Sequence, residues 1–512
     1  MHEGLDPIAV DGRRVLLIVP DGTRTVPLPL LFRCIHAALV PRVAALDILI
    51  ALGTHQSMTP AQINRHLGVM PGEWETTFRG VRVFNHEWSD PATCIPVGVI
   101  DAAEIEALSN RLLAVPVEVR INRKALEYDH LVICGPVFPH EVVGFSGGNK
   151  YLFPGISGRE VIDVSHWLGA LITSYAIIGV PGATPVRRLI DRAAALVPTP
   201  KWCIAVVVAP ENGRLCGIFS GTPEEAWQAA AHLSAQVHIR YVDRPFRRVL
   251  SIVPEMYRDM WTAAKGMYKL EPVVADGGEI IIYAPHITEF SATHGATLAE
   301  IGYHVRDYFV RQWERFRHYP WSVLAHSTHL AGSGEYDPER GERPRIRVTL
   351  ATGISPERCA AHHVGYCDPA TINPAEWAGR EAEGLLLVPK AGELLYRLRR
   401  IKAVTDDILE RRASHPIGQA NGNIQSVSGQ TQRLIDMNVY DTTVTKIRQL
   451  PESLVQEVND FIDFLLVRQD STRWQLWIHF TDAITLSESG FADYSPNLED
   501  YENRLARGEI QW

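Results

Sequence analysis

Short, nearly unbroken apolar runs punctuate the first four hundred residues: VLLIV at 15–19, LDILIAL at 46–52, HLVIC at 130–134, IAVVVA at 204–209, EIIIYA at 279–284, IRVTLATG at 346–353 and EGLLLVP at 383–389. They are rich in β-branched residues, too short for buried helices and too continuous for a sheet wetted on one face. Such runs predict strands covered on both sides, as in parallel sheets flanked by helices. Between them lie helix openings. Thr59 before Pro60 and Thr222 before Pro223 each place a capping hydroxyl ahead of a proline at the first helical position. The expected fold class is α/β: two α/β domains with mainly parallel sheets and a cleft between them, plus a small, mostly helical C-terminal tail.

The strand-and-helix series restarts at VDRPFRRV, which puts a boundary near Pro245. The expected division is a first domain at 1–245, a second at 246–403, a linker at 404–436 and a tail at 437–512. The linker is suggested by ASHPIGQANGNIQSVSGQT, 413–431, where apolar periodicity gives way to Gly, Ser, Asn and Gln. In the tail, LPESLVQEVNDFIDFLLVRQ sets Leu454, Val458, Phe461 and Leu465 at helical spacing on one face.

Composition narrows the function classes. A length of 512 residues predicts two or three domains. The formal charge of −9, with no long basic run, gives no electrostatic footprint for nucleic acid. The seven cysteines are odd in number and never form a C-x-x-C pair, which argues against a disulfide framework or zinc ribbon. No apolar run reaches a membrane span, and MHEGLDPIAVDGRR lacks the build of a signal peptide. A cytoplasmic protein acting on a small molecule is expected.

Polar residues just beyond strand ends are where open α/β sheets place their ligands. Candidates follow in succession: Asp21 and Arg24 after the first run, His55 after the second, His140 and then Lys150 after the third, and His166 in VIDVSHW. Any one histidine reads as readily as a structural residue. Converging in one crevice, the group would supply acid/base residues, a metal ligand and a carboxylate clamp. None of these histidines are spaced four apart as on a helical metal site, so a metal would need most of its ligands from elsewhere. Lys150 lies in GFSGGNKYLFPG, which fails as a phosphate-binding P-loop because Asn149 precedes the lysine and Tyr151 follows it. Three readings stay open for it: a solvated surface cation, a phosphate contact, or a desolvated amine able to bond covalently to a cofactor or carbonyl.

Taken in order, DGTRTVP, GTHQSMT, PHEVVGFSGGNKYLFPGI and His166, followed by MWTAAKGM and ADGGEIIIYA, resemble the nickel-dependent lactate racemase family over residues of about 15–400. The resemblance implies a pyridinium mononucleotide tethered to Lys150, whose carbon and two sulfurs pincer nickel, with His166 as the protein's metal ligand. It further implies His55 and His140 as the acid/base pair and Arg24 and Lys265 as carboxylate contacts. Asp21, with Ser146, Gly147 and Gly148, would contact or orient the cofactor. The activity implied is inversion of an α-hydroxyacid by reversible hydride transfer. Expected partners are a small 2-hydroxy acid and cofactor-synthesis proteins, with no nucleic acid and no membrane; an oligomer is compatible with the reading. Three positions depart from the family: Gln56 and Asn149 stand where it has basic residues, and Thr262 where it has a polar amide. The first two each remove a positive charge near the pocket, and so point to a hydroxy acid other than lactate. The tail, from Met437, resembles small antitoxin-type proteins. Two other classes use the same lysine: a Schiff-base lyase or aldolase, and a non-enzymatic nucleotide- or phosphate-binding module.

Overall fold

The computed structural model describes residues 2–399 apart from Asp6 and Glu211. The expected linker and tail, and the antitoxin-like motif, lie outside the described residues.

Each apolar run becomes a strand. The first sheet has six, in the order Val83–Asn85, Ala45–Ala51, Arg14–Pro20, His130–Pro136, Lys201–Val208 and Leu215–Gly221. All pair in parallel except the edge strand Leu215–Gly221, which runs antiparallel to Lys201–Val208. The central strand explains its own sequence. Val15, Leu16, Leu17, Ile18 and Val19 are all fully buried, because helices and loops cover both faces. The second sheet, ordered Gly365–Tyr366, Arg347–Thr352, Val274–Ala284, Phe246–Ile252 and Leu385–Val388, is parallel throughout. Ile239–Val242, just before it, pairs with Leu395–Leu398. One apolar cluster includes Leu16 and Ile133 of the first sheet and Ile280 and Leu350 of the second.

The helix signals hold. Pro60–Leu67 and Pro223–His238 both open on a complete capping box, from Thr59 with Gln62 and from Thr222 with Glu225. Two elements were not legible in the apolar runs. Cys94–Ile100 and Val117–Asn122 pair antiparallel on either side of the helix Ala102–Leu108, and the first is buried only at its two ends, so it makes no continuous apolar run. VIDVSHW is not a strand followed by a loop: it lies inside the helix Arg159–Ile172, where Val161, Val164, Ser165 and Leu168 are buried at helical spacing. Among the described residues no helix is long and apolar enough to cross a membrane. All seven cysteines are free thiols, and Cys94, Cys134, Cys203 and Cys359 are buried.

Candidate active site

The carboxyl ends of the first sheet's strands deliver most of the candidates to one place. Asp21 and Arg24 follow the strand Arg14–Pro20, and His55 follows Ala45–Ala51. After His130–Pro136 the chain makes two short antiparallel strands, Pro139–His140 and Gly144–Phe145, and then a 3-10 turn, Gly148–Tyr151, carrying Lys150. His166 arrives from mid-helix. Lys265 heads the short helix Lys265–Tyr268, beyond the carboxyl end of the second sheet's strand Phe246–Ile252. An open cavity of about 980 Å³ is lined by Asp21, Arg24, His55, His140, Ser146, Gly147, Lys150, His166 and Lys265 together.

Gly148 is not on that wall. A Cβ there would sit 2.8 Å from the Pro223 carbonyl oxygen and 2.9 Å from Trp227 Cβ, and its φ is +58°. Its small size serves the packing of the turn against the helix Pro223–His238. Gly147 does line the cavity, and packing also requires it to be small: at φ +89° its Cβ would meet the Val137 side chain at 2.4 Å.

The two cavity histidines are held differently. His55 Nδ1 lies 2.5 Å from Asp21 Oδ2. Asp21 also accepts from the backbone N–H and hydroxyl of Thr23, at 3.2 and 2.7 Å. Burial alone would raise the Asp21 carboxyl, but His55 and Arg24 outweigh it and hold the group well below the usual carboxylate range. An ionised Asp21 accepts a hydrogen bond from Nδ1–H and so leaves Nε2 of His55 as a proton acceptor. His140 Nδ1 instead accepts the Val142 backbone N–H at 3.2 Å, with Glu141 Oε2 also 3.2 Å away. Burial, then the charges of Lys150 and Arg24, push His140 well below its ordinary value, so the ring is neutral near pH 7.

Lys150 has no hydrogen bond or ion pair for its amine among the described residues. Burial, reinforced by Arg24, pulls it down to about 7. It is therefore a partly neutral amine facing a cavity, which removes the reading as a solvated surface cation. His166 anchors Nδ1 on the Ile162 carbonyl at 2.7 Å, which leaves Nε2 available as a ligand nitrogen. Among the described residues no three His, Cys, Asp or Glu side chains gather in metal-binding geometry. Arg24 is fixed by its bond to Thr23 Oγ1, 2.8 Å, and lies over the Phe138 ring. Lys265 lies over the Tyr257 ring at 4.6 Å, and burial with Arg24 pushes its amine well below its ordinary value. These two cations also line a second, adjoining cavity of about 440 Å³.

The departures fall in different places. Asn149 does not reach the cavity. It is 1% exposed, and its Nδ2 donates to Asp191 Oδ1 at 3.0 Å and Glu224 Oε1 at 2.6 Å. Gln56 is exposed and also off the wall. Only Thr262 lines the cavity, its hydroxyl donating to Asp259 Oδ1 at 2.8 Å. Neither Gln56 nor Asn149 therefore alters the wall itself, whose basic residues are Arg24, Lys150 and Lys265.

Sequence reasoning missed Glu141, Trp261, Tyr268 and Ser322, which also line the cavity. Glu141 could have been found as the one acidic residue in PHEVVGFSGGNK. Ser322 could not. It belongs to the helix Trp321–Ala331, tied to the His166 helix where Asp163 accepts from the Ser322 N–H and hydroxyl at 2.8 and 2.6 Å.

Residues 2–178 match the lactate racemase N-terminal domain. A lactate racemase from Thermoanaerobacterium thermosaccharolyticum is 26% identical over 290 residues, which cover 55% of this chain and 62% of that enzyme's length. Among solved structures, a Thermotoga maritima protein superposes with a TM-score of 0.70 at 32% identity, covering 78% of this chain and 97% of that one. The lactate racemase apoprotein of T. thermosaccharolyticum superposes with a TM-score of 0.57 at 20% identity, over 76% of this chain and 87% of that one, a likeness of fold.

Proposed function

We propose that this chain, whose residues 2–178 match the lactate racemase N-terminal domain, is an α-hydroxyacid racemase or epimerase that works with a nickel pincer nucleotide tethered to Lys150. The observation that carries the reading is the company Lys150 keeps: an unpaired amine lowered to about 7, in one cavity with two acid/base histidines, a third histidine with an open nitrogen, and two cations.

The residues present fit the group. A neutral amine is what acylation of Lys150 requires, and the Nε2 of His166 would be the protein's ligand to nickel, with the cofactor supplying the others. When bound, the cofactor supplies a reversible acceptor for the hydride of the substrate's α-carbon.

The chain's own residues do the rest. Arg24 and Lys265 hold the carboxylate, so the hydroxyl-bearing carbon is fixed while its configuration changes. His55, with its Nδ1 proton committed to Asp21, takes the hydroxyl proton at Nε2. His140 serves the hydroxyl of the opposite enantiomer. Two histidines are needed because the two hydroxyls are reached from different sides.

The test is a panel of 2-hydroxy acids, followed by chiral chromatography, with protein co-expressed alongside the cofactor-synthesis proteins. At least one acid should be racemised or epimerised, and the Lys150 peptide should carry a permanent added mass. Mass that appears only after borohydride trapping would instead assign a Schiff-base lyase or aldolase. Neither mass nor turnover would leave a binding module.

A further inference from the structure

Arg187 is a buried cation with no task in the mechanism above. It is 1% exposed, and its two terminal nitrogens both reach the segment that carries Lys150: Nη1 donates to the Gly147 carbonyl at 3.0 Å and Nη2 to the Phe145 carbonyl at 2.6 Å. The Gly147 oxygen has a second donor. It also accepts the backbone N–H of Lys150, at 3.2 Å, the bond that opens the 3-10 turn Gly148–Tyr151. One carbonyl therefore joins the arginine to the lysine's own backbone.

The sequence builds this grip locally. Thr184 caps the helix Pro185–Ala195, its hydroxyl oxygen accepting the Arg187 N–H at 3.1 Å while the hydroxyl donates to the Val143 carbonyl at 3.1 Å. The helix start is thus fastened to the segment that leads into Lys150. The guanidinium also lies over the Trp227 ring, 4.1 Å from its centroid, on the helix Pro223–His238. A planar fork held between a ring and two carbonyls has one orientation, and a lysine in its place would bring a single point donor. Among the described residues Arg187 has no ion pair. Asp191 on its own helix and Glu224 on the Trp227 helix are the carboxylates that face it, and burial outweighs them, pulling the guanidinium down to about 10, still charged near pH 7. The nearby Cys203 thiol is held neutral by burial.

We propose that Arg187, which is not on the cavity wall, is the positioning residue of Lys150, its fork fixing the turn that aims the amine into the cavity. This role rests on the reading of Lys150 as the attachment amine. The charge acts in the same direction as the grip. Around the amine stand Arg24, Asp21, Glu141, His140 and His166, and Arg187 joins Arg24 in disfavouring a further cation there.

Variants separate grip from charge. The full chain is acylated briefly across pH 5–10 and the Lys150 peptide quantified, with thermal melting confirming that each variant folds. The unaltered chain should reach half its maximal rate near pH 7. Arg187→Lys keeps the charge and loses the fork, so the half-maximal pH should stay near 7 while the limiting rate falls at least about tenfold. Arg187→Gln loses the charge as well. Its half-maximal pH should also rise by at least about half a pH unit, because an amine freed of a nearby cation holds its proton longer. Asn149→Ala removes another tie of the same turn, to Asp191 and Glu224, and should leave both readings as in the unaltered chain. An unchanged Lys150 profile in folded Arg187→Gln, or an equal change in Asn149→Ala, would overturn the role. If Arg187→Gln does not fold, an unchanged limiting rate in Arg187→Lys overturns it. An unaltered chain whose Lys150 titrates like an ordinary lysine would instead contradict the reading of Lys150 itself.

Discussion

The cavity has two walls made from different sheets, and they differ in how their polar groups are held. On the wall from the first sheet, Asp21, Thr23, Arg24 and His55 form a bonded chain with each contact between 2.5 and 3.2 Å. On the wall from the second sheet's layer, Lys265 lies over the Tyr257 ring and, among the described residues, its amine has no hydrogen bond or ion pair. A pre-formed, fully bonded wall suits groups that must hold one geometry through a reaction. A wall with unsatisfied groups suits a ligand that completes them on arrival.

That contrast can be broken by mutation. Asp21→Asn strikes the bonded wall and should cost most: kcat falling about a thousandfold with KM little changed, as for other orienting carboxylates whose loss leaves a histidine in the wrong tautomer. Steady-state kinetics on the loaded enzyme checks it, and an equal loss in KM would place Asp21 in binding instead. Lys265→Ala strikes the other wall. Removing one charge-assisted contact should raise KM about 10- to 100-fold, with the smaller share of the effect in kcat. Asn149→Ala touches neither wall and should leave KM unchanged. It strands Asp191 and Glu224 side by side and should lower stability by about 1–3 kcal/mol in chemical denaturation.

The Asn149 case also shows what was and was not legible in the sequence. The strands were legible because burial on both faces forces continuous apolar runs, and the strand-end candidates were legible because the chain turns there. Asn149 sits beside Lys150 in sequence, yet a 3-10 turn advances about 120° per residue, so neighbours on it point apart. One faces the cavity and the other a pair of carboxylates from two helices. His166 was found by resemblance and misread as a strand-end residue, since VIDVSHW carries both periodicities in too few residues to separate them. Glu141 and Tyr268 were not legible as neighbours: one lies in the loop between Pro139–His140 and Gly144–Phe145, the other in the helix Lys265–Tyr268, and only the fold brings both to the cavity wall.

The central claim is that Lys150 is a neutral amine in a cavity built to receive what it attaches to. Site-resolved acylation tests this without any cofactor: the purified chain is treated briefly with a small acylating reagent across pH 5–10, and each lysine peptide is quantified. The neutral amine is the nucleophile, so reactivity rises as pH passes upward through the pKa. The account predicts that Lys150 reaches half its maximal rate near pH 7, far below the ordinary lysine value of 10.5. A Lys150 that titrates together with the surface lysines, or that stays unreactive while they are modified, would contradict it.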